Sequence, residues 1–146
     1  MSVTAARELF DHICSTYYVP LLTLHDFDRA GFKIASTLYR NTARYRHSHR
    51  ISIIDLGLRL ADVEEYSLES ESVNETINIW KQKQGLHTDG ATTEEIRYLV
   101  DGGQRVELNA FTSDQFVEWL EGKLQSLQEQ GIIKGKPPYS GSRPSR

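Results

Sequence analysis

The sequence has a single cysteine, Cys14, among 146 residues. No disulfide can form within the chain, and a reducing, cytoplasmic setting is the expectation. No uninterrupted apolar run approaches the roughly eighteen residues that a membrane-spanning helix needs. The opening stretch MSVTAARELF lacks the apolar core of a secretory signal. Neither a glycine-rich phosphate loop nor a Ser/His/Asp signature occurs, so nucleotide cradling and serine-hydrolase chemistry have no support. Paired cysteines are missing too. His25, His47 and His49 therefore read as solvated or phosphate-contacting side chains rather than zinc ligands. Cys14 falls on the inward stripe of a first helix, which makes it a core thiol rather than a nucleophile.

Acidic residues are missing from one stretch of an otherwise acidic protein. The chain carries −3 overall, yet residues 29–50 hold six bases (Arg29, Lys33, Arg40, Arg44, Arg46, Arg50) and no acid. Residues 51–131 hold sixteen acids and six bases, and the tail adds four bases without an acid. Such a block is either a helix face paired by the chain's own acids or a surface for a polyanion. On charge alone the first is favoured, because nucleic-acid-binding domains are usually basic throughout.

With 38% hydrophobic and 25% charged residues, the composition is that of one globular domain. A chain of about 150 residues buries roughly 70% of its unfolded surface, so no metal or disulfide staple is required. Helical spacing of Leu9, Phe10, Ile13, Cys14 and Tyr17 predicts a helix over 4–18. Val19-Pro-Leu-Leu-Thr-Leu then reads as a short buried strand, with Pro20 tolerated only near its start. From Arg29 the period is helical, with Ala30, Ile34, Leu38 and Tyr45 on one stripe. Ile51-Ser-Ile-Ile-Asp-Leu is the next strand, and the strand–helix–strand order predicts a parallel βαβ unit.

Three later helices carry start signals of the capping-box type. Ser72 with Glu75 precedes a helix over Val73–Gln84 that ends at Gly85. Thr92 with Glu95 opens another. Thr112 with Gln115 opens the last, which runs to Gly131 with Phe116, Leu120, Leu124 and Leu127 inward and Phe111 and Phe116 placed as a staple. Trp80 and Trp119 are at core spacing, and Arg105-Val-Glu-Leu-Asn is a short strand. The domain is expected to end at residue 131. Residues 132–146 are rich in Pro, Gly and Ser and read as a flexible basic tail.

The most informative stretch is Leu24-His25-Asp26-Phe27-Asp28-Arg29-Ala30-Gly31. Residues two apart on an extended chain point to the same side, so Asp26 and Asp28 project together from the carboxyl end of a buried strand. Open α/β sheets place ligands there. Two hard carboxylates suit Mg²⁺, or Mn²⁺, which keeps several waters and adds a phosphate oxygen. A helix starting at Arg29 or Ala30 offers amides to a phosphate, and Gly31 admits a close backbone approach. In the simpler alternative, Asp28 only caps that helix and Asp26 is a solvated loop acid.

This stretch resembles the second metal-binding motif of the Toprim domain, an apolar strand followed by Asp-x-Asp-x-x-Gly and a helix. The closest likeness is to the DNA-cleaving subunit of DNA topoisomerase VI and its relatives, the meiotic double-strand-break endonuclease and bacterial Toprim nucleases. Ile54-Asp-Leu-Gly-Leu-Arg-Leu-Ala-Asp-Val-Glu-Glu-Tyr and Gly103-Gln-Arg-Val-Glu-Leu-Asn-Ala-Phe look like two further segments of that family, in the same order. The resemblance covers roughly residues 5–130. It implies an α/β, Rossmann-like, partly parallel sheet flanked by helices, with Asp26 and Asp28 as metal ligands and DNA as the partner.

Arg29, Lys33, Arg40 and Arg44 are then the residues expected near the DNA backbone. Glu107 resembles the family's late glutamate, either supporting the acids from behind or pairing with an arginine. The family's catalytic glutamate strand and its tyrosine-bearing winged helix have no counterpart here. The expectation is a domain over 1–131 lacking its first strand, with no catalytic residue of its own and no cleavage by the chain alone. Within a longer machine it implies type IIB topoisomerase chemistry. The alternatives are a non-catalytic interaction or dimerisation module, with a second copy or partner supplying the missing strand, and a Toprim-type nuclease working from the two aspartates.

Overall fold

The computed structural model describes residues 20–44 and 53–133, with Ala5, Glu8, Leu9 and His12 before them; for 41–44 it describes the backbone alone. The four early positions are helical. The rest of the expected first helix, Cys14, His47, His49, the Arg44 side chain and the tail from 134 lie outside the described residues. Two compact units are present, residues 1–111 and residues 112–146.

The first unit is built on a parallel βαβ arrangement. Strand β1 is Leu21–Thr23, immediately after Pro20, where the ring costs no ladder bond. Helix α1 is Arg29–Arg44 and strand β2 is Ile53–Asp55. The strands pair in parallel, with Leu21 opposite Ile53, Leu22 opposite Ile54 and Thr23 opposite Asp55. The pairing continues past the strand ends, since Leu56 donates to the Thr23 carbonyl at 2.8 Å and Leu58 to the His25 carbonyl at 3.0 Å. This extension governs where every side chain of the candidate site falls.

A second, antiparallel pair joins β3 (Glu71–Ser72) to β4 (Gln104–Arg105). Phe27 and Val106 form an antiparallel bridge of their own, with N–H to O distances of 2.8 and 3.0 Å. Residues 21–27 are thus held first by β2 and then by the segment after β4. The helices between are α2 (Leu60–Glu65), α3 (Ile79–Thr88) and α4 (Thr93–Ile96), the last widening into a π turn over Arg97–Asp101. A single 3₁₀ turn, Leu108–Ala110, follows the bridge.

Phe27, Phe32, Leu58 and Val106 are the most completely buried large side chains. Phe27 meets Phe32 edge-on at 5.9 Å and Tyr98 at 5.6 Å. Burying each aromatic or aliphatic side chain contributes on the order of 1.5–3 kcal/mol. The core therefore sits directly under the loop that carries Asp26 and Asp28.

The second unit is helix α5, Ser113–Glu129, capped by Thr112 through a reciprocal box with Gln115. Gly131, at φ 72°, follows its end. Among the described residues no helix is long and apolar enough to cross a membrane.

Several sequence expectations are corrected. The capping box at Thr92/Glu95 forms as read, but Ser72 and Glu75 do not open a helix. Ser72 lies in β3 opposite Gln104, and Glu75 is paired with Arg29 at 2.7 Å, so α3 starts only after Asn78. It also runs through Gly85 to Thr88. Trp80 is 72% exposed rather than in the core, because Leu86 is the one buried side chain that α3 supplies. The inward face of α1 is Gly31, Phe32 and Ala35, while Ile34 points to solvent. The strand expected at Arg105–Asn109 stops at the Val106 bridge, since Leu108 and Asn109 turn into the 3₁₀ segment.

Candidate functional site

The carboxyl end of β1 alternates as its extended backbone requires. His25 and Phe27 are buried, and Asp26 and Asp28 are half-buried on the other side. Asp28 precedes the first residue of α1 and caps it, its Oδ1 accepting from the Gly31 amide at 2.6 Å. Asp26 reaches elsewhere. Its Oδ1 accepts from the Leu108 amide at 2.7 Å, across 82 residues of sequence. Each carboxylate therefore commits one oxygen to a backbone amide, and the other oxygen of each makes no hydrogen bond to a described residue.

Beneath them lies a polar network that sequence reasoning missed. His25 Nδ1 sits 2.8 Å from the Asp26 carbonyl oxygen, and Nε2 lies 3.0 Å from Asp55 Oδ1 and 3.2 Å from Oδ2. Both ring nitrogens face acceptors, which only the doubly protonated imidazolium satisfies. Burial alone would pull the His25 pKa down. The Asp55 hydrogen bond, the Asp26 carbonyl and the Asp55 charge outweigh it, and the net result is a raised pKa. Asp55 behaves in mirror image. Burial pushes it up, but the His25 bond, the Gly57 amide at 2.8 Å and the His25 and Arg59 charges leave it lowered.

Two glycines make this packing feasible. A Cβ on Gly57 would collide with the His25 ring, and one on Gly31 would collide with the Asp26 carbonyl. Arg59 then extends the network, clamping the buried Glu95 with Nη2–Oε1 at 2.6 Å and Nε–Oε2 at 3.0 Å. Its guanidinium also stacks 5.1 Å from the centre of the Phe32 ring. The signal for this network was present in the strand-end Asp55, but its meaning depends on the β1–β2 register.

The basic residues are partly spoken for. Arg29 pairs with Glu75 at 2.7 Å and Arg40 with Asp89 at 3.1 Å. Lys33 is exposed and makes no ion pair with a described residue. Asp28, Arg29, Lys33, Glu75, Lys81 and Arg105 line one open cleft of about 850 Å³. Glu107, the residue before the 3₁₀ turn, lies 3.7 Å from Arg105. It therefore flanks the amide that holds Asp26.

The donor set fits a hard divalent cation, with limits. Two half-buried carboxylates each keep one oxygen, which suits Mg²⁺ or Mn²⁺ with most of its shell left to water. Among the described residues no group of three or more His, Cys, Asp or Glu side chains gathers in a metal-binding arrangement. A bound cation would supply charge stabilisation to a nearby phosphate.

The parallel βαβ unit, the strand-end acids and the helix that Asp28 caps define a Toprim-like α/β domain. The family model for the TOP6A/Spo11 Toprim domain of topoisomerase 6 matches residues 2–124, and the chain belongs to that family. No curated protein and no solved structure matches the chain.

Proposed function

We propose that this chain is a DNA-binding Toprim-type domain of a type IIB topoisomerase-like cleavage and religation machine, assisted by Mg²⁺ or Mn²⁺. The reading is supported chiefly by family membership together with two strand-end carboxylates that each retain one uncommitted oxygen. In it, Asp26 and Asp28 hold the cation, and Glu107 supports them from behind. Lys33 contacts DNA phosphates directly. Arg29 and Arg40 do so after exchanging Glu75 and Asp89 for phosphate, and Arg44 extends the same face. By itself the chain binds DNA without cutting it, because none of its tyrosines is placed as the family's nucleophile.

The test is Mn²⁺-induced NMR line broadening. It should centre on residues 25–31 and vanish in the Asp26→Asn/Asp28→Asn double variant. Asparagine at either position can still accept the amide hydrogen bond, so the fold is retained. Broadening centred elsewhere overturns the metal assignment. Nicking of supercoiled plasmid that disappears in the same variant would instead establish a two-aspartate nuclease.

A second reading, a protein-interaction or dimerisation module, is favoured by one observation. Ile77 and Trp80 are 76% and 72% exposed beside the start of α3. Concentration-dependent self-association that is lost in Trp80→Ala, together with DNA affinity indifferent to salt, would favour it.

A further inference from the structure

The bond between Asp26 and Leu108 is the longest-range side-chain contact at the site, and its geometry is specific. Leu108 is the first residue of the 3₁₀ turn, so its amide has no partner within that turn. Asp26 takes it at 2.7 Å, a length typical of a charge-assisted hydrogen bond. Two more bonds tie the same segments together, Phe27 N–H to the Val106 carbonyl and Val106 N–H to the Phe27 carbonyl. The Asp26 side chain is thereby fixed at both its backbone and its Oδ1 atom, while Oδ2 is left facing away from the latch.

We propose that the Leu108 backbone amide is a positioning group for the metal site, setting which Asp26 oxygen is presented to a divalent cation. The proposal rests on the metal reading above and adds residues 106–108 to it. A solvated aspartate must freeze its rotamers when it binds a cation. Here that ordering is already done by folding, and partners of this kind orient metal ligands widely. Asp28 is oriented in the same manner by Gly31, but from within its own helix. The late segment thus contributes to the acid pair without offering a ligand.

The experiment compares Leu108→Pro with Leu108→Ala. Proline removes the amide hydrogen and little else. It suits the first position of a helical turn, and Glu107 before it is already extended at φ −91°, ψ 153°, as a residue preceding proline prefers. Alanine keeps the amide and removes the side chain. Mn²⁺ affinity, read by line broadening at residues 25–31, should fall about tenfold or more in Leu108→Pro and stay within about twofold in Leu108→Ala. Equal affinities in wild type and a folded Leu108→Pro protein overturn the proposal and leave the metal reading intact. Absence of Mn²⁺ binding in the wild type overturns both. Should the proline variant fail to fold, a Mg²⁺ titration of the wild type decides. The Leu108 amide resonance should shift with the same midpoint as residues 26 and 28, and an unmoved Leu108 amide overturns the proposal.

Discussion

His25 and Asp55 face each other across the extended β1–β2 pairing, with Nε2 3.0 Å from the nearer carboxylate oxygen and Nδ1 2.8 Å from the Asp26 carbonyl. The imidazole thus links the end of β2 to the backbone of a candidate metal ligand. Its charge state bears on the stability of the whole strand-end region.

That linkage predicts a pH profile with two flanks. The His25 pKa is raised above its ordinary 6.5, so its contribution is complete below that value and lost as pH rises through the folded pKa. The Asp55 pKa is lowered from 3.8, so its contribution is complete above that value and lost as pH falls through the folded pKa. The pair should therefore contribute fully between pH 3.8 and 6.5. Urea midpoints measured across pH should show this plateau, and Asp55→Asn should weaken the alkaline flank. An unchanged alkaline flank in that variant would count against a charged His25.

Asparagine and alanine at position 26 should separate charge from latch. Asp26→Ala leaves the Leu108 amide without its acceptor and should cost about 1–3 kcal/mol in urea unfolding. Asp26→Asn preserves an acceptor oxygen and should cost less than Asp26→Ala. Equal losses in both variants would show that charge, not the hydrogen bond, holds the loop.

Glycine substitutions should differ sharply by position. Gly57→Ala drives a methyl into the His25 ring and should cost about 1–3 kcal/mol by overpacking. Gly85 has nothing within 4 Å of its would-be Cβ and lies inside α3. Gly85→Ala should stabilise by about 0.5–1 kcal/mol through helix propensity. Thermal unfolding midpoints moving in opposite directions would bear this out.

The acids opposite α1 should restrain DNA binding. Glu75→Gln and Asp89→Asn free Arg29 and Arg40 from exposed ion pairs, each worth at most about 1 kcal/mol. Affinity for duplex DNA at low salt should rise by up to about fivefold per variant on that scale. Lys33→Glu should weaken binding and flatten the salt dependence, by roughly 0.9 in log–log slope for each phosphate no longer engaged. Neutral variants that leave affinity unchanged would favour the interaction-module reading.

The fold was legible where its signals are local. Pro20 marks the start of β1, Asp28 closes the strand loop and caps α1, and the Thr92/Glu95 and Thr112/Gln115 boxes form as their spacing predicts. Ser72/Glu75 has the same spacing but fails. A strand partner at Gln104 and a cation at Arg29, each far away in sequence, hold the two residues instead. The site was half legible for the same reason. Asp26 and Asp28 are two apart and readable, whereas His25 meets Asp55 only once the parallel register brings position 25 beside the end of β2.

The Asp26–Leu108 latch also has a consequence for biosynthesis. Its two halves are 82 residues apart, and translation adds on the order of ten residues per second. For several seconds the nascent chain carries β1 and the start of α1 with the Asp26 carboxylate unlatched and Phe27 without its Val106 partner. The strand-end loop can take its final form only after the segment through residue 108 has emerged. Synonymous codon changes between positions 30 and 105 would lengthen or shorten that interval without altering a single side chain.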